Sequence, residues 1–201
     1  MTIWAMRGQE GSLVGFVPDE RLAKAITTCG MNPIAVREVL RAAGMEIFDM
    51  QIAEPSATRV EMNRQSIPDL VIWSWIAIFS QRAASTAVEL GCEAGEFWPC
   101  RFQSNPEEEF FFHLPLKVFD IVDVKRSTFR HILPVDPPIP MFIEALVTKQ
   151  LPDELPPCFR AETPGTTIVF SELFVRDDFR LAWDRNAFRG AVFRRLSTQM
   201  E

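Results

Sequence analysis

Two histidines and four cysteines are the side chains best suited to nucleophilic or metal chemistry in this chain, and their spacing decides which chemistry is open. A Cys–His or Ser–His–Asp site needs an imidazole base within hydrogen-bond reach of its nucleophile. His113 follows Phe110-Phe111-Phe112, and His131 follows Phe129-Arg130 in an expected loop. Neither is flanked by a Gly-x-Ser-x-Gly elbow or a cysteine signature, so both are expected to be structural or surface histidines. Cys29, Cys92, Cys100 and Cys158 contain no Cys-x-x-Cys pair and match no common zinc spacing. They read as free, mostly buried thiols. One enzymatic arrangement stays open: Cys92 or Cys100 with His113 and a carboxylate.

No HExxH, P-loop or Gly-x-Gly-x-x-Gly motif is present, so neither a metal nor a cofactor is expected. Glu107-Glu108-Glu109 reads as a solvated polar turn. Consecutive acids in a turn cannot all converge on one ion, and no Asp-x-Asp-x-Asp-Gly loop accompanies them. Arg176, Arg180, Arg185, Arg189, Arg194 and Arg195 make the C-terminal part locally basic. With Asp177, Asp178 and Asp184 among them, surface ion pairs are expected rather than a phosphate site.

Composition narrows the class. The chain has 201 residues, is 47% hydrophobic and 24% charged, and can bury a core without staples. Seventeen phenylalanines stand against no tyrosine, which removes the phenol from any list of general acids. The net charge is −6, and Glu89 to Asp123, with eight acids and two bases, carries all of it. Nucleic-acid binding is disfavoured and a basic protein partner is compatible. Met1–Gly8 lacks the basic-then-apolar layout of a signal peptide, and Leu70–Phe79 is too short to span a bilayer. A soluble cytoplasmic protein without membrane contact is expected.

The elements follow from periodicity. Leu13–Val17 reads as a strand, and Pro18-Asp19-Glu20 opens a helix with Leu22, Ala25, Ile26 and Cys29 inward, ended by Gly30. Asn32 caps a second helix with Pro33 in its first turn, Val36, Val39, Leu40 and Ala43 as its stripe and Gly44 as its stop. Glu46–Ile52 reads as a strand and Pro55–Gln65 as a loop. The β-branched and aromatic content of Leu70–Phe79 favours strand, with a buried helix running on into the next one as the alternative. Ser80 caps a helix with Ala84, Ala87 and Val88 inward, and Gly95 turns into a strand over Phe97–Phe102. Ser104–Glu109 is the expected turn, with Phe110–Leu114 pairing back. Leu116 to Val124 reads as extended, Val135–Pro140 as irregular, Phe142–Val147 as strand and Pro152–Pro157 as loop. Strands over Thr166–Val175 and Ala191–Leu196 surround a last helix over Asp177–Asn186, with Asp177 as its cap. The strand–cap–helix–glycine–phenylalanine order thus occurs twice, ending at Phe97 and at Phe193.

Several short pieces share an order: Pro68-Asp69; Phe79-Ser80-Gln81-Arg82-Ala83; Gly95-Glu96-Phe97-Trp98-Pro99; Val122-Asp123-Val124-Lys125-Arg126-Ser127; Phe159-Arg160; and Gly190-Ala191-Val192-Phe193. In this the chain, over roughly residues 68 to 196, resembles immunity family eleven of bacterial polymorphic toxin systems, once catalogued only as a domain of unknown function. It departs from that pattern with Arg176 before the second helix where a serine is usual, and with Phe where the aromatic strand often has Tyr. The resemblance implies a protein that neutralises a toxin from the same or neighbouring cells. It supplies no catalytic residues and no defined contact residues.

The expectation is therefore an α+β fold with a mostly antiparallel sheet and four helices. Residues 1–65 read as an N-terminal helical and strand lobe and 66–201 as the family-like domain, the two forming one compact unit. The expected function is toxin binding without catalysis. Glu107, Glu108 and Glu109 are the candidate contacts for a cognate, basic protein toxin. The alternatives are the Cys/His enzyme described above, or a structural subunit with a large apolar homomeric interface.

Overall fold

A computed structural model describes residues 2–8, 16–17, 20–30, 32–42, 48–52, 67–73, 75–92, 97–102, 105–114, 117–133, 139–145, 147–162, 169–170 and 172–196. The expectations for residues 13–15, 18–19, 43–44, 46–47, 55–65, 74, 95, 104, 116, 135–138, 146, 166–168 and 171 lie outside these residues. The fold is α+β. Among the described residues there are four helices, a six-stranded sheet, a five-stranded sheet and a two-stranded ribbon.

The chain starts in the five-stranded sheet with β1 (Ile3–Gly8) and passes through β2 (Phe16–Val17) to α1 (Glu20–Cys29) and α2 (Pro33–Ala42). It then lays down β3 (Phe48–Ile52), β4 (Leu70–Trp73), β5 (Ile76–Ser80), α3 (Gln81–Glu89), β6 (Phe97–Phe102) and β7 (Asn105–His113). After β8 (Val118–Phe119), the strands β9 (Thr128–Leu133) and β10 (Ile139–Ala145) form the ribbon. The chain closes with β11 (Cys158–Ala161), β12 (Leu173–Arg176), α4 (Asp177–Arg185) and β13 (Ala191–Arg195).

The larger sheet has the order β2-β3-β6-β7-β5-β4 and the smaller one β13-β1-β12-β11-β8. All neighbours are antiparallel except β3 with β6 and β11 with β8. β1 lies between β12 and β13, and β3 joins β6, so residues 1–65 and 66–201 contribute strands to the same two sheets.

Strand alternation sorts the apolar side chains into three layers. Ile76, Ile78, Phe110, Phe112 and Phe102 point to one face of the larger sheet, where Leu22, Ala25, Val36 and Leu40 of the αα pair cover them. The opposite face offers Leu70, Ala77, Phe79 and Phe111 to a middle layer shared with Met6, Leu173 and Val175 of the smaller sheet. Ala83, Ala84 and Ala87 of α3 and Phe179 and Trp183 of α4 fill this layer. The far face of the smaller sheet buries Ile3, Ala5, Phe159 and Phe174 against Ile121, Val122, Leu155 and Phe170. The two copies of the repeated pattern, β5-α3-β6 and β12-α4-β13, therefore stand one in each sheet with their helices in the common layer.

Capping explains several boundaries. Gly30 leaves α1 at φ 61°, a conformation that costs a residue without a side chain little. Asn32 Oδ1 accepts the Ala35 N–H at 3.1 Å at the start of α2. The hydroxyl of Ser80 accepts the Ala83 N–H at 3.4 Å at the start of α3.

Other expectations are corrected. Leu70–Phe79 is a hairpin rather than one strand: β4 and β5 pair antiparallel, with Trp73 opposite Ile76. All five residues of β5 are buried, so alternation does not reveal the fold-back; its sequence mark is Ser74, the polar residue between the paired Trp73 and Ile76. Glu107–Glu109 belong to β7 rather than to a turn, because the β6 ladder continues past Phe110 to Glu109. His131 lies in β9, opposite Phe142, rather than in a loop. Ile139 and Pro140 open β10 despite the prolines before them. Val124 sits in a turn. Val39 and Val88 are exposed, whereas Arg37 of α2 is buried. At α4 the cap position is Arg176, with no side-chain cap bond, and Asp177 is the first helical residue. Asp177 instead accepts the indole N–H of Trp4 at 2.6 Å.

Among the described residues no helix is long and apolar enough to cross a membrane.

Candidate functional site

The acidic strand lies where β6 and β7 meet. Glu107 and Glu109 are exposed and Glu108 is half-buried. Arg101 stands directly opposite Glu109 in the ladder, a favourable cross-strand charge pair. Glu108 lies close enough to Arg82 of α3 to help raise its guanidinium pKa, behind the larger effect of the hydrogen bond to Asp69. The three glutamates thus share one strand end, and two of them have a cation nearby.

Arg82 leads to the most densely bonded polar centre described in the fold. Asp69, 4% exposed, lies between Pro68 and β4. Its Oδ1 accepts Ser80 Oγ–H at 2.7 Å and Arg82 Nε–H at 2.6 Å. Its Oδ2 accepts Arg82 Nη2–H at 2.7 Å and the backbone N–H of Arg189 at 2.9 Å. The backbone repeats the connection: Ser80 N–H donates to Asp69 O at 2.9 Å and Leu70 N–H to Arg189 O at 3.1 Å. The Arg82 guanidinium carbon also sits 4.9 Å from the centre of the Phe188 ring.

Burial pushes the Asp69 carboxyl up, but the bonds from Arg82, the Arg189 amide and Ser80, with the charge of Arg82, outweigh it and hold it below its ordinary value. A carboxylate offers about four lone-pair sites. Asp69 has all four occupied, so it is a clasp and not a general base. Gly190 completes the joint at φ +95°, and a Cβ there would stand 2.3 Å from Leu70 O. Pro68-Asp69, Ser80-x-Arg82 and Gly190, distant in sequence, therefore form one interlocked contact between the two repeated units.

The smaller sheet carries a second charged group. Glu172, 1% exposed, is paired with Arg7 and, at 3.9 Å, with Arg194. Arg160 of β11 is fully buried, and burial lowers its pKa to about 10 against the opposing pull of Cys158 and Glu172. The expected C-terminal ion pairs are present: Arg176 with Asp178, and Arg180 with Asp184 at 3.3 Å.

Cys92, Cys100 and Cys158 are buried cysteines outside any disulfide, and Cys29 is half-buried. His113 is buried against Phe79 and Phe97 in the middle layer. Cys100 points to the opposite face of the same sheet, into the layer beneath the αα pair. Burial drives its thiol pKa far up, more than its hydrogen bond to the Phe112 backbone lowers it. The sheet therefore separates Cys100 from His113. Cys92 lies just past α3 in the middle layer. His131 is in the ribbon backbone.

Comparison with protein-family models finds none that matches the chain, and no curated protein matches it.

Proposed function

We propose that this chain is an immunity protein that binds and neutralises a cognate bacterial toxin in the cytoplasm, with no catalytic step of its own. The observation that carries this reading is the Asp69 clasp. Three of the short pieces that suggest the family, Pro68-Asp69, Ser80-x-Arg82 and Gly190, serve one structural joint rather than a reaction centre. What they hold in place is the surface of the two sheets, and an inhibitor acts through a surface complementary to its target. Glu107, Glu108 and Glu109 on β7 are the proposed contacts for a basic toxin.

Co-expression with the toxin encoded beside this gene is the direct test. The expected outcome is restored growth and a complex that co-purifies. Absence of both would overturn the proposal.

A further inference from the structure

We infer that the cavity beneath the 153–157 loop seats a lysine or arginine side chain of a basic protein partner. The identity of the partner rests on the immunity reading, whereas the chemistry of the pocket rests on the cavity alone. The cavity measures about 600 Å³ and opens between the end of α3, β8 and the start of β11. Its apolar wall includes Leu90, Leu155 and Phe159, with the thiols of Cys92 and Cys158 beside them.

Four charges ring it: Lys117, Arg176, Asp153 and Glu154. Both cations are already engaged. Arg176 is paired with Asp178 and donates Nη1–H to Leu155 O at 2.8 Å. Lys117 Nζ lies 5.2 Å from the centre of the Phe119 ring. Asp153 and Glu154 are exposed, and among the described residues neither has a hydrogen-bond or ion-pair partner.

The loop that carries them is held in advance. Arg176 bonds it twice, through its guanidinium to Leu155 O and through its backbone N–H to Pro157 O at 3.0 Å. Pro156-Pro157 restrict it further. A pre-formed wall with two unused carboxylates at its lip fits one class of group best: an aliphatic stem that packs on the wall and ends in a cation. Asp178 offsets Arg176, so Asp153 and Glu154 outweigh the one remaining cation, Lys117, and favour a cationic group over an anionic one.

The test uses ¹⁵N-labelled full chain titrated with acetyl-Gly-Arg-Gly-amide and with its citrulline counterpart, which has the same shape and no charge. The arginine peptide should shift amides around 90–92, 117–119 and 153–159, and the citrulline peptide should bind at least about tenfold more weakly. The double variant Asp153→Asn/Glu154→Gln, which alters two exposed side chains and should melt like the parent, should lose a similar factor. Equal binding of both peptides, no response to the arginine peptide at millimolar concentration, or shifts confined to other regions would overturn the inference. Growth rescue separates the two claims. A double variant that loses the arginine peptide but protects fully would remove the cavity from toxin contact and leave the immunity proposal standing. An unaltered chain that binds the arginine peptide at the cavity but gives no rescue supports the pocket and counts against the immunity proposal.

Discussion

Asp69 Oδ2 accepts the backbone N–H of Arg189 at 2.9 Å, joining the strand that precedes one helical unit to the turn that closes the other, 120 residues along the chain. The same carboxylate is held bidentately by Arg82 and by Ser80. One buried acid thereby couples β4, the start of α3 and the α4–β13 turn.

Replacing Asp69 with alanine should cost about 2–4 kcal/mol, because the Arg189 N–H and the Ser80 hydroxyl lose a charged acceptor inside the protein. Arg82→Ala should cost less, about 1–2 kcal/mol, because the Arg82 side chain is 57% exposed and Asp69 keeps two donors. A double-mutant cycle followed by urea unfolding should show positive coupling between the two. Additive losses would mean that the two side chains do not act as a pair.

Acid should weaken the clasp. The Asp69 carboxyl titrates below its ordinary value in the folded chain, so between the two values the unfolded state binds more protons and stability rises with pH. The contribution is fully present above the unfolded carboxyl value, about 4, and is lost as pH falls through the folded one. Asp177, lowered chiefly by the Trp4 indole N–H, adds a slope of the same sign. Denaturation midpoints measured from about pH 6 to pH 3 should therefore fall less steeply for Asp69→Asn than for the parent. Parallel curves would contradict the assignment.

Gly190→Ala should be among the most disruptive single methyl additions. The new Cβ meets a backbone carbonyl at 2.3 Å, and the φ of +95° is strained for any side chain. A loss of about 3 kcal/mol or more is expected, read as a lowered melting temperature or as insoluble protein. Gly30→Ala makes the comparison: its Cβ would have open space, so only the backbone cost remains and the loss should be about 1 kcal/mol.

Reversing Glu107, Glu108 and Glu109 together to lysine should slow association with the toxin about tenfold or more at low salt, with a loss of stability of about 1 kcal/mol from the like charges placed opposite Arg101 and near Arg82. Glu108 and Glu109 already have Arg82 and Arg101 nearby, so Glu107→Lys alone should account for the largest single share. Stopped-flow or surface-binding kinetics would read this directly. An unchanged on-rate would take the strand out of the interface.

The elements were readable where one physical signal dominated. The apolar spacing of Leu22, Ala25 and Ile26, the cap at Asn32 and the hydroxyl of Ser80 all act within a few residues, and the folded chain uses them as their chemistry suggests. The hairpin inside Leu70–Phe79 is not readable from alternation, because both faces of β5 are buried; its one sequence mark is the polar Ser74 between Trp73 and Ile76. The polar look of Glu107–Glu109 was misleading for the opposite reason: an exposed strand end tolerates charge as well as a turn does. Val39 and Val88 fit a helical stripe by spacing, but the surfaces covering α2 and α3 are narrower than that stripe.

Chain order and local periodicity were enough to establish an α+β protein built around two strand–helix–strand units, because capping, amphipathic spacing and turn residues act over a few positions. Which polar groups meet could not be read that way. Asp69, Ser80, Arg82, Arg189 and Gly190 look unrelated along the chain and become one joint only when the two sheets enclose a common layer. The cavity below 153–157 has the same origin, since its walls come from the turn after α3, from β8, and from the 153–157 segment leading into β11. Long-range contacts of this kind depend on how the sheets stack and on which carboxylates that stacking leaves without partners.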